Sequence, residues 1–248
     1  MMAKLPFAIT ATFASVFVAA VSLHFAIPTK PQQQNHAPAV KITSPKNGDS
    51  FSAGAQVGYK ITVADKEDGD SKFDEINTKE VLLEVQYAAD ANQVSALTAR
   101  ESNDPPGLMA IRSFNCFNCH AFTGKLIGPS FFDISKKYAP TDANISQVAK
   151  RVKDGSAGIW GKVAMPTHPE LSNAQTVEMV GWILKNAAKP NMQYYTGTQG
   201  VLRLTPPEPS ALNGYWVLTA SYIDHGLKND STVRLEGKDV IVLHSGGK

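Results

Sequence analysis

The stretch "SFNCFNCHAFTG", residues 113 to 124, contains both cysteines of the chain, Cys116 and Cys119, with His120 directly after them. Two thiols separated by two residues can share one side of a helical turn, and an imidazole that follows at once projects beside them. That spacing is the attachment pattern for haem c. Each thiol adds to one vinyl group of a porphyrin, giving two thioethers, and His120 then stands under the iron as the proximal nitrogen ligand. The rival chemistries need more than is present. A thioredoxin-like pair requires a βαβ setting and no following histidine. A structural zinc site requires four ligands, and the chain has no third cysteine.

A second axial ligand is expected in a loop after the motif. "GIWGKVAMPTHPEL" supplies Met165, with Pro166 keeping the loop extended, and also His168. A methionine is ordinarily a core residue, but a Gly- and Pro-rich loop is a poor place for one. Met165 is the preferred ligand over His168 or an open position. A thioether ligand favours reduced iron and raises the potential. In "IGPSF" the Pro129 carbonyl is placed to accept from the other ring nitrogen of His120 and fix its orientation, and Gly128 would let the backbone come close. Trp160 can pack on a porphyrin or bond a propionate; a plain core tryptophan is the equal alternative.

The elements that must position these residues fall into three segments. From Val40 to about Tyr87 the pattern is β: "VKIT", then Val57, Tyr59, Ile61 and Val63 on one face, then Val81, Leu83, Val85 and Tyr87. From about Pro105 to Lys189 it is helical. "GLMAIRSF" predicts a short helix entering the cysteine motif. Pro129 suits the start of a helix carrying Phe132 and Tyr138. Thr141 or Asp142 can cap a helix whose apolar face is Ile145, Val148 and Val152, with Gly155 at its end. Ser172 and Gln175 form a capping box for a last helix with Val177, Val180 and Leu184 on its buried face and Met179 and Ile183 beside them. From about Gly200 the pattern is β again: "GVLRLT", "YWVLTASYI" and "VRLEGKDVIVLH". Three strands alone make a poor sheet. Three before and three after make one small sandwich of immunoglobulin-like size, interrupted by the helical segment.

The chain is 248 residues long with a net charge of +2, which implies no nucleic-acid partner, and two cysteines exclude a disulfide-stapled scaffold. The balance hides an asymmetry: residues 105–189 carry ten Lys and Arg against five Asp and Glu, whereas residues 28–104 carry eight against twelve. After Lys4, the run Leu5 to Ile27 holds no formal charge. It reads as an export signal, with Val18-Ala19-Ala20 offering small residues for cleavage, or as an uncleaved membrane anchor. Either places the remainder outside the cytoplasmic membrane. Residues 28–38 are a polar linker. The acidic turn "DKEDGD" offers Asp65, Glu67, Asp68 and Asp70 as calcium ligands, but it lacks the EF-hand pattern, and a solvated turn is the preferred reading. His24, His36, His225 and His244 show no ligand spacing.

Residues 105–189 resemble a class I c-type cytochrome in the order of a leading helix, "CFNCH", "GPSF", "KYA", "GIWGKVAMPTHPELS" and a closing helix with "MVGWIL". The resemblance implies one covalently bound haem c per chain, held through Cys116, Cys119, His120 and Met165, with Pro129 supporting the histidine. A glycine–aromatic contact between first and last helices is suggested by Gly107 and Trp182. The flanks "HAPAVKITSPKNG" and "VLTASYIDHG…LEGKDVIVLHSG" look like the Ig/PKD-like module and the tail around the cytochrome of bacterial dehydrogenases with a sugar-dehydrogenase β-propeller. This chain has no room for the propeller.

The fold class expected is therefore multidomain: an all-α class I cytochrome c domain at 105–189, inserted into an immunoglobulin-like all-β sandwich whose halves are 39–104 and 190–248, behind a signal or anchor at 1–27. The function expected is periplasmic single-electron transfer between a dehydrogenase, a sugar dehydrogenase among them, and a respiratory oxidase or other acceptor. The alternatives are a haem enzyme such as a peroxidase, which needs an open iron position, and a binding or adhesion module with an accessory haem.

Overall fold

A computed structural model describes residues 34–100, 104–211 and 213–246. The apolar run Leu5 to Ile27, its cleavage site and His24 lie outside the described residues. Among the described residues no helix is long and apolar enough to cross a membrane.

Five strands precede the helices: β1 (Ala39–Ser44), β2 (Ser50–Phe51), β3 (Gln56–Asp65), β4 (Gly69–Asp70) and β5 (Leu82–Ala88). Five helices follow: α1 (Ala91–Thr98), α2 (Pro106–Ser113), α3 (Phe131–Lys137), α4 (Asp142–Asp154) and α5 (Asn173–Asn186). Four strands close the chain: β6 (Met192–Thr196), β7 (Gln199–Arg203), β8 (Gly214–Ile223) and β9 (Glu236–Ser245).

Strands from the two flanks hydrogen-bond to one another. In one sheet β3 pairs antiparallel with β1, β4 and β7. The other runs β2-β9-β8-β5-β6, antiparallel except for the short β2–β9 pair. The two sheets share a core. Val57, Tyr59, Ile61 and Val63 alternate inward from β3, as the period of two requires, and meet Leu83, Val85, Trp216, Leu218 and Leu243 from the second sheet.

β5 is buried along its whole length. Leu83, Val85 and Tyr87 face the sheet-on-sheet core. Its other face carries Leu82, Glu84 and Gln86, and Leu82 belongs to the core of the helical segment. The helices therefore sit on the outer face of the five-stranded sheet. Their packed core extends past residues 105–189, taking in Leu82, Met192 and Tyr194.

The joint is pinned by a buried cation. Arg112 of α2 donates to Asp104 at 2.6 Å, to Glu236 at 3.3 Å, and to the hydroxyl and carbonyl of Ser221 at 3.1 and 3.3 Å. A buried guanidinium needs such pairing to offset its lost hydration. A second network surrounds Glu84, which accepts from Arg100 at 2.7 Å and from Gln86 at 2.8 Å.

Within the helical segment, local signals set the ends. Thr141 caps α4 through Asn144 N, and both bonds of the Ser172–Gln175 capping box are formed at α5. Gly107 lies where α2 meets α5. A Cβ there would stand 2.3 Å from the Glu178 carbonyl oxygen and 2.5 Å from the Trp182 Cβ, so only glycine permits this approach.

Two expectations are corrected. Val177 is exposed; the buried face of α5 is Thr176, Met179, Val180, Ile183 and Leu184, and Val177 stands one residue, about 100°, round the helix from Thr176. α3 starts at Phe131 behind a Ser130 cap, so Pro129 precedes the cap, Phe131 is the buried ring, Phe132 is about a third exposed and Tyr138 ends the helix. Beyond the two-residue strands β2 and β4, two further elements were not expected. α1 buries none of its residues and so shows no apolar stripe. β6 precedes the point, about Gly200, from which the sequence reads as β again, although its Tyr194-Tyr195 pair, bounded by Pro190 and Gly197, is a strand signal.

Candidate functional site

Cys116 to Asn118 form a single 3-10 turn, entered through Asn115 in the left-handed conformation with φ 54°. Both Cys119 N and His120 N donate to the Cys116 carbonyl, at 3.2 and 2.9 Å. The turn brings both sulfurs and the imidazole to one wall of a cavity. The thiols are free. Burial pushes the Cys116 thiol up to about 12, so it stays protonated at neutral pH. Such a sulfur is a poor thiolate ligand for a bare metal ion.

His120 is buried, and its environment is over-determined. Its Nδ1–H donates to the Pro129 carbonyl at 2.7 Å, because a carbonyl can only accept. This leaves the lone pair on Nε2. The Phe131 ring stacks on the imidazole with centroids 5.5 Å apart and 14° between planes. Gly128 backs it so closely that a Cβ there would lie 2.5 Å from His120 Cε1. The segment that carries Pro129 is itself tied to the motif, since Ile127 N and Gly128 N donate to the Cys119 carbonyl at 3.2 and 2.9 Å. Burial, partly opposed by the Pro129 carbonyl, lowers the His120 pKa and favours the neutral ring that a metal needs.

The cavity encloses about 1080 Å³ of empty space, part of it open to solvent. Its walls are mostly apolar and include Ile111, Val148, Val152, Met179, Val180 and Ile183. Cys116, Cys119, His120, Pro129, Trp160 and Met165 all line it, and His168 does not. His168 instead pairs with Glu170 at 2.8 Å, and its N–H donates to the Lys153 carbonyl. Met165 is held by backbone alone: it exchanges two hydrogen bonds with Ser156, at 2.8 and 3.1 Å. Lys137 sits over the Trp160 ring, 5.1 Å from its centroid.

One charged lining residue was not foreseen. Arg151 donates to the Tyr138 hydroxyl at 2.7 Å, and both side chains face the cavity. It is three residues from Val148 on the same face of α4, which is the signal that could have found it. A guanidinium on an apolar wall is suited to meeting the carboxylate of an otherwise apolar group.

The acidic turn is different in kind. Asp65 accepts from the N–H groups of Glu67 and Asp68, at 2.9 and 2.7 Å; Asp68 accepts from the Tyr222 hydroxyl and the His225 N–H; Glu67 pairs with His36; Asp70 caps Lys72 N. These carboxylates are engaged by separate protein donors. Among the described residues no group of three or more His, Cys, Asp and Glu is arranged for a metal ion.

No family model matches the chain. It is 39% identical over 70 residues to cytochrome c-552 of Nitrosomonas europaea, covering 28% of this chain and 68% of that protein. It is 38% identical over 69 residues to cytochrome c-551 of Azotobacter vinelandii, covering 28% of this chain and 83% of that protein. This chain belongs to the c-type cytochromes. Cytochrome c2 of Rubrivivax gelatinosus is also similar, at 43% identity over 72 residues, 85% of its length. As a c-type cytochrome, the chain is of a family with covalently bound haem c. The residues present fit that group: two thiols and a buried imidazole share one wall of an apolar cavity, and a thioether and a guanidinium stand on others. Most of this cytochrome, at 248 residues, lies beyond the matched length and is additional to what it shares with these relatives.

Proposed function

We propose that this chain is an exported electron carrier. One haem c is held per chain by thioethers to Cys116 and Cys119, with His120 and Met165 as axial ligands. Bound there, the group supplies single-electron exchange at an iron whose six positions are all filled. The chain's own residues do the rest. The Pro129 carbonyl orients His120, Trp160 covers the porphyrin, and the apolar walls exclude water. The observation that carries this reading is that the two thiols, the imidazole and the Met165 thioether line one apolar cavity whose walls include no second candidate ligand from the 158–171 loop.

We read residues 39–104 and 190–248 as one immunoglobulin-like sandwich interrupted by the cytochrome at 105–189. The pairing of β3 with β7, and of β5 with β6 and β8, supports this. The partners are a periplasmic dehydrogenase, with a sugar dehydrogenase as the candidate from the flanking resemblance, and a respiratory oxidase or other acceptor. Ten basic against five acidic side chains over 105–189 favour acidic partner surfaces. The N-terminal apolar run accounts for export, and for any anchoring to the membrane.

The ferric protein tests the proposal. It should show the far-red sulfur-to-iron absorption of methionine-ligated haem and titrate reversibly as a one-electron couple. Its transfer rate with a periplasmic donor should fall as salt rises, since screening acts over about 8 Å at physiological ionic strength. A ferric spectrum without the sulfur band, together with ready binding of small ligands, would instead identify an open iron position and an enzyme.

A further inference from the structure

Tyr194 belongs to β6, an edge strand of the five-stranded sheet, yet its ring is packed in the core of the helical segment. It stacks on Phe122 with centroids 4.3 Å apart and 22° between planes. It meets Trp182 edge-on at 5.6 Å. Phe122 in turn meets Phe131 edge-on at 5.4 Å, and Phe131 is the ring stacked on His120. Four rings thus run in unbroken contact from the sheet to the imidazole: Tyr194, Phe122, Phe131, His120.

The far end of this column is fixed. The Tyr194 hydroxyl stands beside the buried carboxylate of Glu84, its register partner on β5. Glu84 is held by Arg100 and Gln86. Arg112 bolts α2 to β8 and β9 through Ser221 and Glu236, so the helical segment cannot slide along the sheet. Close-packed interiors transmit displacement because they have few voids in which to absorb it. A metal-bound histidine takes its orientation from the groups around it as well as from its own hydrogen bond.

We propose that Tyr194 is a positioning residue for His120, acting through Phe122 and Phe131, and that the β module thereby forms a second layer behind the proximal side of the haem. The proposal rests on the reading of His120 as the iron ligand. It gives the module a role in the iron's environment that a spacer would not have, and it assigns that role to one ring.

The test uses the full chain, purified with haem attached. The readouts are the haem-methyl proton shifts of the ferric form, which follow the orientation of the axial imidazole plane, and the reduction potential. Tyr194→Leu keeps an apolar filler and removes the stack. Tyr194→Phe keeps the stack and removes only the hydroxyl beside Glu84. Val57→Ala loosens the sheet-on-sheet core without touching the column. We expect Tyr194→Leu to redistribute the methyl shifts and move the potential, and Tyr194→Phe to restore the parental pattern. Val57→Ala should lower thermal stability and leave the pattern unchanged. Parental shifts and potential in Tyr194→Leu would overturn the proposal. So would equal shifts in Tyr194→Leu and Val57→Ala, because the effect would then be general loosening. A parent protein without a histidine-ligated haem spectrum would instead sink the proposed function itself, before any variant is compared.

Discussion

The two sides of the cavity are built by opposite means. On one side, His120 is buried, hydrogen-bonded to Pro129, stacked on Phe131, backed by Gly128 and continued by an aromatic column into the sheet. On the other, Met165 is half-buried, held by its backbone pair with Ser156, and flanked by exposed Lys162, Val163, Ala164 and Pro166. Tertiary packing specifies the imidazole several times over. The thioether is specified by a loop and little else. On the function proposed above, a carrier would gain from this division: one ligand would keep the iron in place, and the other would lie on the more exposed side. Substitutions at Met165 and at the glycines on either side break this contrast or sharpen it.

The largest effect precedes the contrast. Changing Cys116 and Cys119 together to alanine should abolish covalent haem entirely, because no other thiol exists in the chain. Mass spectrometry of the exported protein should find the bare polypeptide. A covalently bound group surviving in that variant would remove the attachment chemistry from which everything else follows.

Met165→Ala comes next. It should leave the haem attached, since the thioethers do not depend on the axial bond, while the far-red band disappears, the potential falls and small ligands bind. Stability should change little on this exposed side. A parental spectrum and potential would mean that His168 or another group fills the sixth position. His168 would have to leave Glu170 and the Lys153 carbonyl to do so.

The smallest effect is a matched pair of glycine substitutions. Gly128→Ala forces a methyl to within 2.5 Å of His120 Cε1, and overpacking of this kind costs about 1–3 kcal/mol. Gly158→Ala, in the loop before Met165, meets nothing within 4 Å; it strains only a backbone at φ +82°, at a cost of roughly 1 kcal/mol. Thermal unfolding of both should show the greater loss at Gly128. Equal losses would erase the difference between a packed wall and a free loop.

Much of the site is legible because its chemistry is local in sequence. Cys116, Cys119 and His120 lie within five consecutive positions, and one turn suffices to bring them together. Pro129 reaches the imidazole from nine residues away by a short loop. Helix ends are legible for the same reason, as Thr141 and the Ser172–Gln175 box act within one turn. The sequence by itself determined this much, because short-range hydrogen bonds and spacing decide it.

What only the tertiary structure decided is which faces meet. Along β5 the alternation of Val81, Leu83, Val85 and Tyr87 with Leu82, Glu84 and Gln86 reads as one buried and one wet face, and both are buried. Nothing within seven residues announces that helices from another part of the chain will cover the second face, or that Arg100 will pair with Glu84 there. Val177 is exposed and Arg151 faces the cavity because of which neighbours α5 and α4 acquire, which their own periodicity does not state. Burial is a property of pairs of surfaces, and a single segment carries only one surface of each pair.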